Sequence, residues 1–467
     1  MFIKQLYTNC LSEAAYYVES EGQAAIIDPL RDTENYIIMA AERKASIKYI
    51  FETHFHADFV SGHLDLSKQT GAPIIFGPGA ATKFDIHNAK DGEIFKLGAI
   101  SFEALHTPGH TLESTCYLLR DEEGKPHAIF SGDTLFVGDV GRPDLSSGNM
   151  SSEELASIMY DTIQNKIMPL QDDIIVYPAH GPGSSCGKNL GPATHSTIGD
   201  EKKGNYALQS KTREEFITEV TNGLGVAPKY FAINARINQQ GYDELEKVKG
   251  KGIKALSIIE FKSLASNDAL ILDTRKATEF TNGYVPGSIS IGLEGRFAEW
   301  AGNLLPFDKK IILVTAPGQE EESVIRLTRV GFDKMEGYLA GGYQAWQTAG
   351  EKTDLIINVD PDELIMDIPH DTNLVILDVR RQTEYANGHL EDALNIPLDT
   401  MTDVVNIAGF EDTQNIYIHC AGGYRSVIAA SMLKNQGIHN LRNIVGGWDK
   451  IKLEKDIKII KEASMLN

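Results

Sequence analysis

The chain has 467 residues, 42% apolar and 23% charged, a size and balance that suit about three globular domains. A net charge of −21 sets long-range repulsion against a nucleic-acid backbone or an anionic lipid surface, so neither is expected as a partner. Four cysteines (Cys10, Cys116, Cys186, Cys420) are too few for a disulfide scaffold, no apolar run reaches membrane-spanning length, and the start lacks the basic and apolar regions of a secretion signal; a cytoplasmic protein with reduced thiols is expected.

Short apolar strands (Ala15 to Val18, Ala24 to Asp28) open the chain, followed by an amphipathic helix around Thr33 to Lys44 and a buried strand from Ile47 to Phe51. That strand runs into Thr53-His54-Phe55-His56-Ala57-Asp58-Phe59. Residues two apart on an extended segment face the same way, so His54 and His56 can point at one place, with Asp58 following. Two imidazoles and a carboxylate this close together have metal-ligand spacing. Three later loops repeat the theme after apolar segments: His106-Thr107-Pro108-Gly109-His110, Ser131-Gly132-Asp133-Thr134 and Pro178-Ala179-His180-Gly181. One such loop is ordinary turn chemistry, and His106 beside Pro108 reads as a turn histidine. Four in this order point to a metal site at one edge of a layered sheet-and-helix domain. Cys10 and Cys116 lie in or beside strand-like segments and are expected as buried small hydrophobes.

These motifs resemble the metallo-β-lactamase superfamily over roughly the first half of the chain. Gly132-Asp133-Thr134-Leu135-Phe136 followed by Gly141-Arg142-Pro143-Asp144 resembles its persulfide dioxygenase branch. The resemblance implies an αββα sandwich that holds metal through His54, His110 and Asp133, with His56, Asp58 and His180 orienting those ligands and the metal's waters. In the superfamily's dinuclear zinc hydrolases a second-site histidine follows the motif aspartate, whereas here the residue is Phe59, which cannot coordinate. One ion is therefore expected, and two histidines plus one carboxylate with open positions suit Fe(II), one per chain. His56 as a fourth ligand, with zinc and thioester hydrolysis, stays open at this point. Arg142 either holds a substrate carboxylate in a bidentate fork or closes its loop on Asp144. Cys186, in the glycine-rich loop after His180, lies near the metal mouth by connectivity; it is either a bystander or a thiol exposed enough to receive or pass sulfur.

From Gly241 to Gly252 the sequence turns charged and repetitive and reads as a linker. Beyond it, Leu272-Asp273-Thr274-Arg275 recurs as Leu377-Asp378-Val379-Arg380, and Gly341-Gly342 as Gly446-Gly447, both at an offset of 105 residues (273 to 378, 341 to 446). Equal offsets at both ends mean a tandem duplication of one small parallel α/β unit. The pattern resembles rhodanese domains over about 251–352 and 353–460. In the second copy a strand ends in Cys420-Ala421-Gly422-Gly423-Tyr424-Arg425, with a helix expected from about Val427. A cysteine below a glycine-bearing loop at a helix N-terminus gains N–H donors and the positive dipole end, which stabilise thiolate or persulfide; Arg425 adds fixed positive charge. The first copy carries Thr315 where the second has Cys420 and Glu320-Glu321-Glu322 near the arginine position. It cannot transfer sulfur, so a spacer, docking or assembly role is expected.

The expected division is 1–245 for the metal domain, 251–352 for the cysteine-free copy and 353–467 for the active copy. The whole arrangement resembles bacterial persulfide dioxygenase-sulfurtransferase fusions. That resemblance implies oxidation of a low-molecular-weight persulfide with O2 to sulfite and the thiol, transfer of sulfur through Cys420 to sulfite to give thiosulfate, and a homo-oligomer. The alternatives are a zinc thioester hydrolase of the glyoxalase II kind fused to rhodanese copies, and a sulfur carrier without oxygenase activity.

Overall fold

The computed structural model describes residues 1–145, 150–210, 212–455 and 457–462. They form two compact units: residues 1–247 together with 327–332, and residues 248–326 together with 333–467.

The first unit is a four-layer sandwich. One six-stranded sheet runs in the order Phe2–Thr8, Glu13–Ser20, Gln23–Ile27, Ser46–Phe51, Ile74–Phe76, His87–Asn88; the other runs Ser196–Thr197, Ile175–Pro178, Pro126–Gly132, Thr115–Arg120, Ile100–His106, Ile94–Leu97. Strand periodicity divides the side chains between two cores. Tyr16 and Val18 face inward with Phe51, Phe102, Tyr117 and Phe130 between the sheets, while their neighbours Ala15 and Tyr17 face outward to pack with Tyr36 and Leu66 of the helices Glu34–Glu42 and His63–Thr70. On the other outer face Cys116, Leu118 and Ile129 meet Met159 of the helix Ser152–Thr162. Both sheets are thus covered, as the αββα expectation requires.

Strand direction gathers the site. Thr115–Arg120 is antiparallel to Ile100–His106 and to Pro126–Gly132, and Pro126–Gly132 is parallel to Ile175–Pro178. Three strands therefore end at one edge, where the loops carrying His110, Asp133 and His180 begin. Thr115 donates its N–H to Thr53 O at 2.9 Å, which brings the His54 loop of the other sheet to the same edge.

The second unit holds two five-stranded parallel sheets of identical strand order. The first runs Ala255–Leu256, Met335–Leu339, Ile311–Val314, Leu270–Asp273, Ser288–Ser290; the second runs Ile357–Val359, Leu441–Ile444, Asn415–His419, Leu374–Asp378, Leu394–Asn395. The repeated Asp-x-Arg builds one contact twice. Arg275 pairs with Asp273, donates to Gly283 O and lies 4.4 Å over the Tyr343 ring; Arg380 pairs with Asp378, donates to Gly388 O and lies 4.3 Å over Trp448.

Two expectations change. Much of the stretch read as a linker is the helix Leu245–Gly252, because Leu245 and Val248 find burial on one face that the run of charges conceals. The helix after Cys420 starts at Tyr424 rather than Val427, with Gly423 in a left-handed conformation (φ +101°) turning the chain into it.

Candidate metal centre and sulfur-transfer loop

Three histidines are locked in one tautomer by acceptors behind them. Thr53 donates its hydroxyl to Asp28 Oδ2 at 2.8 Å, so its contact with His54 Nδ1 at 3.0 Å is supplied by the ring's N–H. His110 Nδ1 donates to Arg142 O at 2.8 Å and His180 Nδ1 to Ser12 O at 3.1 Å. In each ring the proton is fixed on Nδ1, leaving the Nε2 lone pair for a metal. Those Nε2 atoms converge on Asp133: His54 at 3.8 Å and His110 at 3.4 Å from Oδ2, His180 at 3.5 Å from Oδ1. Burial and the neighbouring imidazoles push the pKa of His54 well down, which keeps it neutral.

His54, His110 and Asp133 form a buried group whose donor atoms lie within 4.8 Å of one another. Gly132 (φ +54°) turns the strand into Asp133, and a Cβ there would strike the Thr53 side chain at 2.5 Å. At Gly141 a Cβ would lie 2.1 Å from Asp133 O and 2.9 Å from His110 Nδ1, so the loop closes on the site only without a side chain. Both oxygens of Asp133 and of Asp58, and His180 Nε2, are buried with no hydrogen-bond partner. A buried carboxylate without a partner costs several kcal/mol (on the order of 2 or more), so the donor set fits a bound cation.

His56 is turned elsewhere. Its Nε2 is 3.1 Å from Asp28 Oδ1 and 3.5 Å from Glu52 Oε2. Burial opposes its charge, but Asp28, Glu52 and Asp58 around it win, and its pKa is pushed up to about 10. The Phe59 ring packs on its face, centroids 4.3 Å apart. His56, Asp58 and His180 do lie together, each offering one atom within 4.8 Å of the others, beside the first group.

Arg142 closes its own loop. Its guanidinium is bidentate to Asp144 (2.9 and 2.7 Å) and also donates to Gly225 O at 2.6 Å and Ser185 O at 3.4 Å, so of the two arrangements its sequence allowed the loop-closing pair with Asp144 is the one present. Cys186 sits with Asp133 and His180 within 4.8 Å, yet it is 1% exposed and burial pushes its pKa well up; its loop is open at Pro182 and Gly183 as expected, but Cys186 itself is tucked under it, with Cys186 O accepting from Arg142 N. Cys116 is buried as expected, whereas Cys10 is only partly so. His106, expected in a turn, is the last residue of the strand Ile100–His106, its Nε2 2.9 Å from Leu112 O.

Sequence reasoning passed over three groups. Asp28 and Glu52, which draw His56 away, each follow an apolar strand, the same signal that revealed the other acids. Asn238 accepts from Ser61 N and donates to His56 O and Phe59 O, so it secures the motif loop from the helix Phe231–Gln240. Nothing local in the sequence announces that reach. Glu13 has both oxygens buried without partners, and burial pushes its pKa well up.

In the second unit Cys420 is buried and accepts Gly423 N–H on its sulfur at 3.1 Å, with Ser426 Oγ at 3.6 Å, at the head of the helix Tyr424–Asn435. Ala421 and Gly422 complete the loop, and a Cβ at Gly422 would meet open space. Arg425 is bidentate to Glu384 at 2.7 and 2.8 Å, so its charge is partly compensated rather than free. In the cysteine-free copy Glu321 pairs with Lys249 at 2.7 Å and Glu322 with Arg326 at 2.6 Å, which spends two of the three carboxylates on ion pairs.

A two-sheet sandwich with imidazoles and carboxylates at one edge, followed by duplicated parallel units of which one carries a cysteine loop, defines a metal-binding enzyme joined to sulfur-handling domains. Residues 8–180 match the metallo-beta-lactamase superfamily, and residues 258–349 and 360–454 each match the rhodanese-like domain. Hydroxyacylglutathione hydrolase GloC of Haemophilus influenzae is 31% identical over 215 residues, spanning 42% of this chain and 91% of that protein. A metallo-beta-lactamase from Staphylococcus aureus has a TM-score of 0.64 at 33% identity, covering 73% of this chain and 98% of its own. ETHE1 from Myxococcus xanthus has a TM-score of 0.45 at 30% identity, covering 51% and 98%. The chain belongs to the metallo-beta-lactamase superfamily through its first unit and carries two rhodanese-like domains after it. No helix among the described residues is long and apolar enough to cross a membrane.

Proposed function

We propose that the chain oxidises a low-molecular-weight persulfide with O2 at one Fe(II) held by His54, His110 and Asp133, and that Cys420 then hands sulfur to sulfite to give thiosulfate, in the cytoplasm. The observation that carries the reading is the separation of His56 from the triad: its Nε2 faces Asp28 and Glu52, leaving two imidazoles and one carboxylate as the first donor set. When bound, iron in such a set supplies open positions for a sulfur ligand and for O2. The chain's own groups do the rest at that site. Thr53 Oγ1 and Arg142 O hold the His54 and His110 protons on Nδ1, Asp133 sets the negative charge, and the Phe59 ring fills the place of a further ligand beside His56.

At the second site Cys420, as thiolate, takes the outer sulfur of a persulfide and releases the carrier thiolate. Sulfite attacks that sulfur, the Cys–S bond to it breaks, and thiosulfate leaves with the thiolate restored. Gly423 N–H and the helix N-terminus stabilise the charge on sulfur in both displacements.

The test is metal content by elemental analysis together with O2 uptake on a panel of persulfides. Iron near one per chain, O2 consumption and thiosulfate as product are expected, with sulfite alone from Cys420→Ser. A zinc-loaded protein that ignores persulfide in air sinks the reading.

A second reading, zinc-dependent thioester hydrolysis, is favoured by the names of curated relatives, such as the Haemophilus influenzae hydroxyacylglutathione hydrolase. Under it, the same preparation cleaves a hydroxyacylglutathione thioester without O2.

A further inference from the structure

We infer that the cysteine-free rhodanese copy is the brace of the sulfur-transfer loop, and that Tyr424 is a positioning residue anchored to it. The inference rests on the reading of Cys420 as the sulfur-transfer cysteine. Tyr424 lies inside the Cys420–Arg425 loop sequence, yet its hydroxyl donates to Gly292 O of the other copy at 2.7 Å, and its ring lies against Gly292 and Gly295, 3.6 Å from where a Cβ would stand at either.

The same helix is held at two further points. Ser431 Oγ accepts the Ser290 N–H of the other copy at 3.0 Å, and Lys434 donates at 3.0 and 3.1 Å to Asp354, at the start of its own copy, which in turn accepts the hydroxyl of the other copy's Tyr284 at 2.8 Å. Tyr424, Ser431 and Lys434 are spaced i, i+7, i+10 and share one stripe of the helix. Its other buried residues, Val427, Ala430 and Leu433 among them, leave the helix little solvent-facing surface, as a helix clasped on both sides requires. A further ion pair, Arg381 to Glu299 at 3.7 Å, joins the copies beside the loop.

The brace explains why a copy with Thr315 in place of the nucleophile is retained in the fold. The sulfur of Cys420 depends on the Gly423 N–H at 3.1 Å, and Gly423 is covalently next to the tethered residue. Where Tyr424 goes, the donor goes. Fixing the helix start from outside sets the geometry that lowers the energy of a charged sulfur.

The experiment compares full-length wild type, Tyr424→Phe and Ser431→Ala. Sulfur transfer is assayed with thiosulfate as donor and cyanide as acceptor: Cys420 takes the outer sulfur and releases sulfite, then cyanide takes that sulfur and releases the thiolate. Alkylation of Cys420 by iodoacetamide is followed across pH by peptide mass, and melting temperature is recorded for each variant. Loss of one neutral hydrogen bond corresponds to about a 2- to 10-fold effect. Tyr424→Phe is expected to slow transfer by that factor and to move the alkylation midpoint to higher pH, while Ser431→Ala lowers the melting temperature and leaves the midpoint in place.

An unchanged midpoint and transfer rate in Tyr424→Phe overturns the inference, as does an equal shift in both variants, which would mean general loosening. If Cys420→Ser still transfers sulfur at the wild-type rate, it is the sulfurtransferase reading itself that fails.

Discussion

His56 Nε2 stands 3.1 Å from Asp28 Oδ1, and this pair separates the motif's two histidines. Asp28 does double duty: its other contacts, to Thr53 N and Thr53 Oγ1 at 2.8 Å each, set the tautomer of His54. One carboxylate therefore fixes the tautomer of the first imidazole and draws the Nε2 of the second away from the triad. The pair is also a pH-dependent stabiliser. Unfolded, His56 returns to about 6.5; folded, it is raised to about 10. A raised histidine contributes stability that is complete below the unfolded value and fades as pH climbs through the folded one. Chelator-treated protein is expected to lose stability between about pH 6.5 and 10, and Asp28→Asn to flatten that slope, both read from denaturant midpoints. A flat wild-type curve across that window contradicts a cationic His56.

The metal contacts make a second set of expectations. Under the proposed reading, His110→Ala removes one of three ligands and should bring iron content close to zero with O2 uptake lost, whereas Asp58→Ala, outside the triad, should retain about one ion per chain. Elemental analysis of the two variants after identical loading decides it. Equal loss of metal from both would place Asp58 among the ligands.

Much of this was legible in the chain because the candidate ligands follow strands, and strand ends are marked by apolar runs stopping at a polar residue. The order of the loops could be read; which nitrogen each histidine turns inward could not. That depends on Asp28 (acting through Thr53), Arg142 O and Ser12 O, which lie 26 (54 − 28), 32 and 168 residues from the histidines they orient. Two backbone carbonyls among them have no residue type to betray them. The repeat was legible to the residue, since Asp273–Arg275 and Asp378–Arg380 build the same contact. Glycine composition misled at Cys186 alone: the loop is open at Pro182 and Gly183, but the cysteine is held inside it, where the Arg142 backbone N–H donates to Cys186 O at 2.9 Å.

Arg142 yields a prediction opposite to that of a substrate clamp. With its fork on Asp144 and a further bond to Gly225 O, Arg142→Ala should destabilise the protein by about 2–3 kcal/mol, by stranding a partly buried carboxylate. Arg142→Lys should recover only part, since an ammonium cannot reproduce the bidentate pair. Denaturant midpoints measure both. A wild-type midpoint with a KM raised 100-fold would return Arg142 to the substrate.

The cysteine-free copy offers the sharpest test of what its partner loop needs. Thr315 stands at the position of Cys420 by the 105-residue offset, so Thr315→Cys in a Cys420→Ser background restores a thiol at the end of the equivalent strand Ile311–Val314. Glu320 takes the place of Arg425, however, and a carboxylate there opposes the charge of a thiolate or persulfide instead of balancing it. The double variant is expected to transfer sulfur from thiosulfate to cyanide at less than about 1% of the wild-type rate, two or more powers of ten corresponding to about 3 kcal/mol of lost charge stabilisation. Adding Glu320→Arg should raise that rate by at least tenfold. If the thiol alone suffices, the fixed charge and the glycine turn at Gly423 contribute less than their geometry implies, and burial of a cysteine below a helix N-terminus is enough.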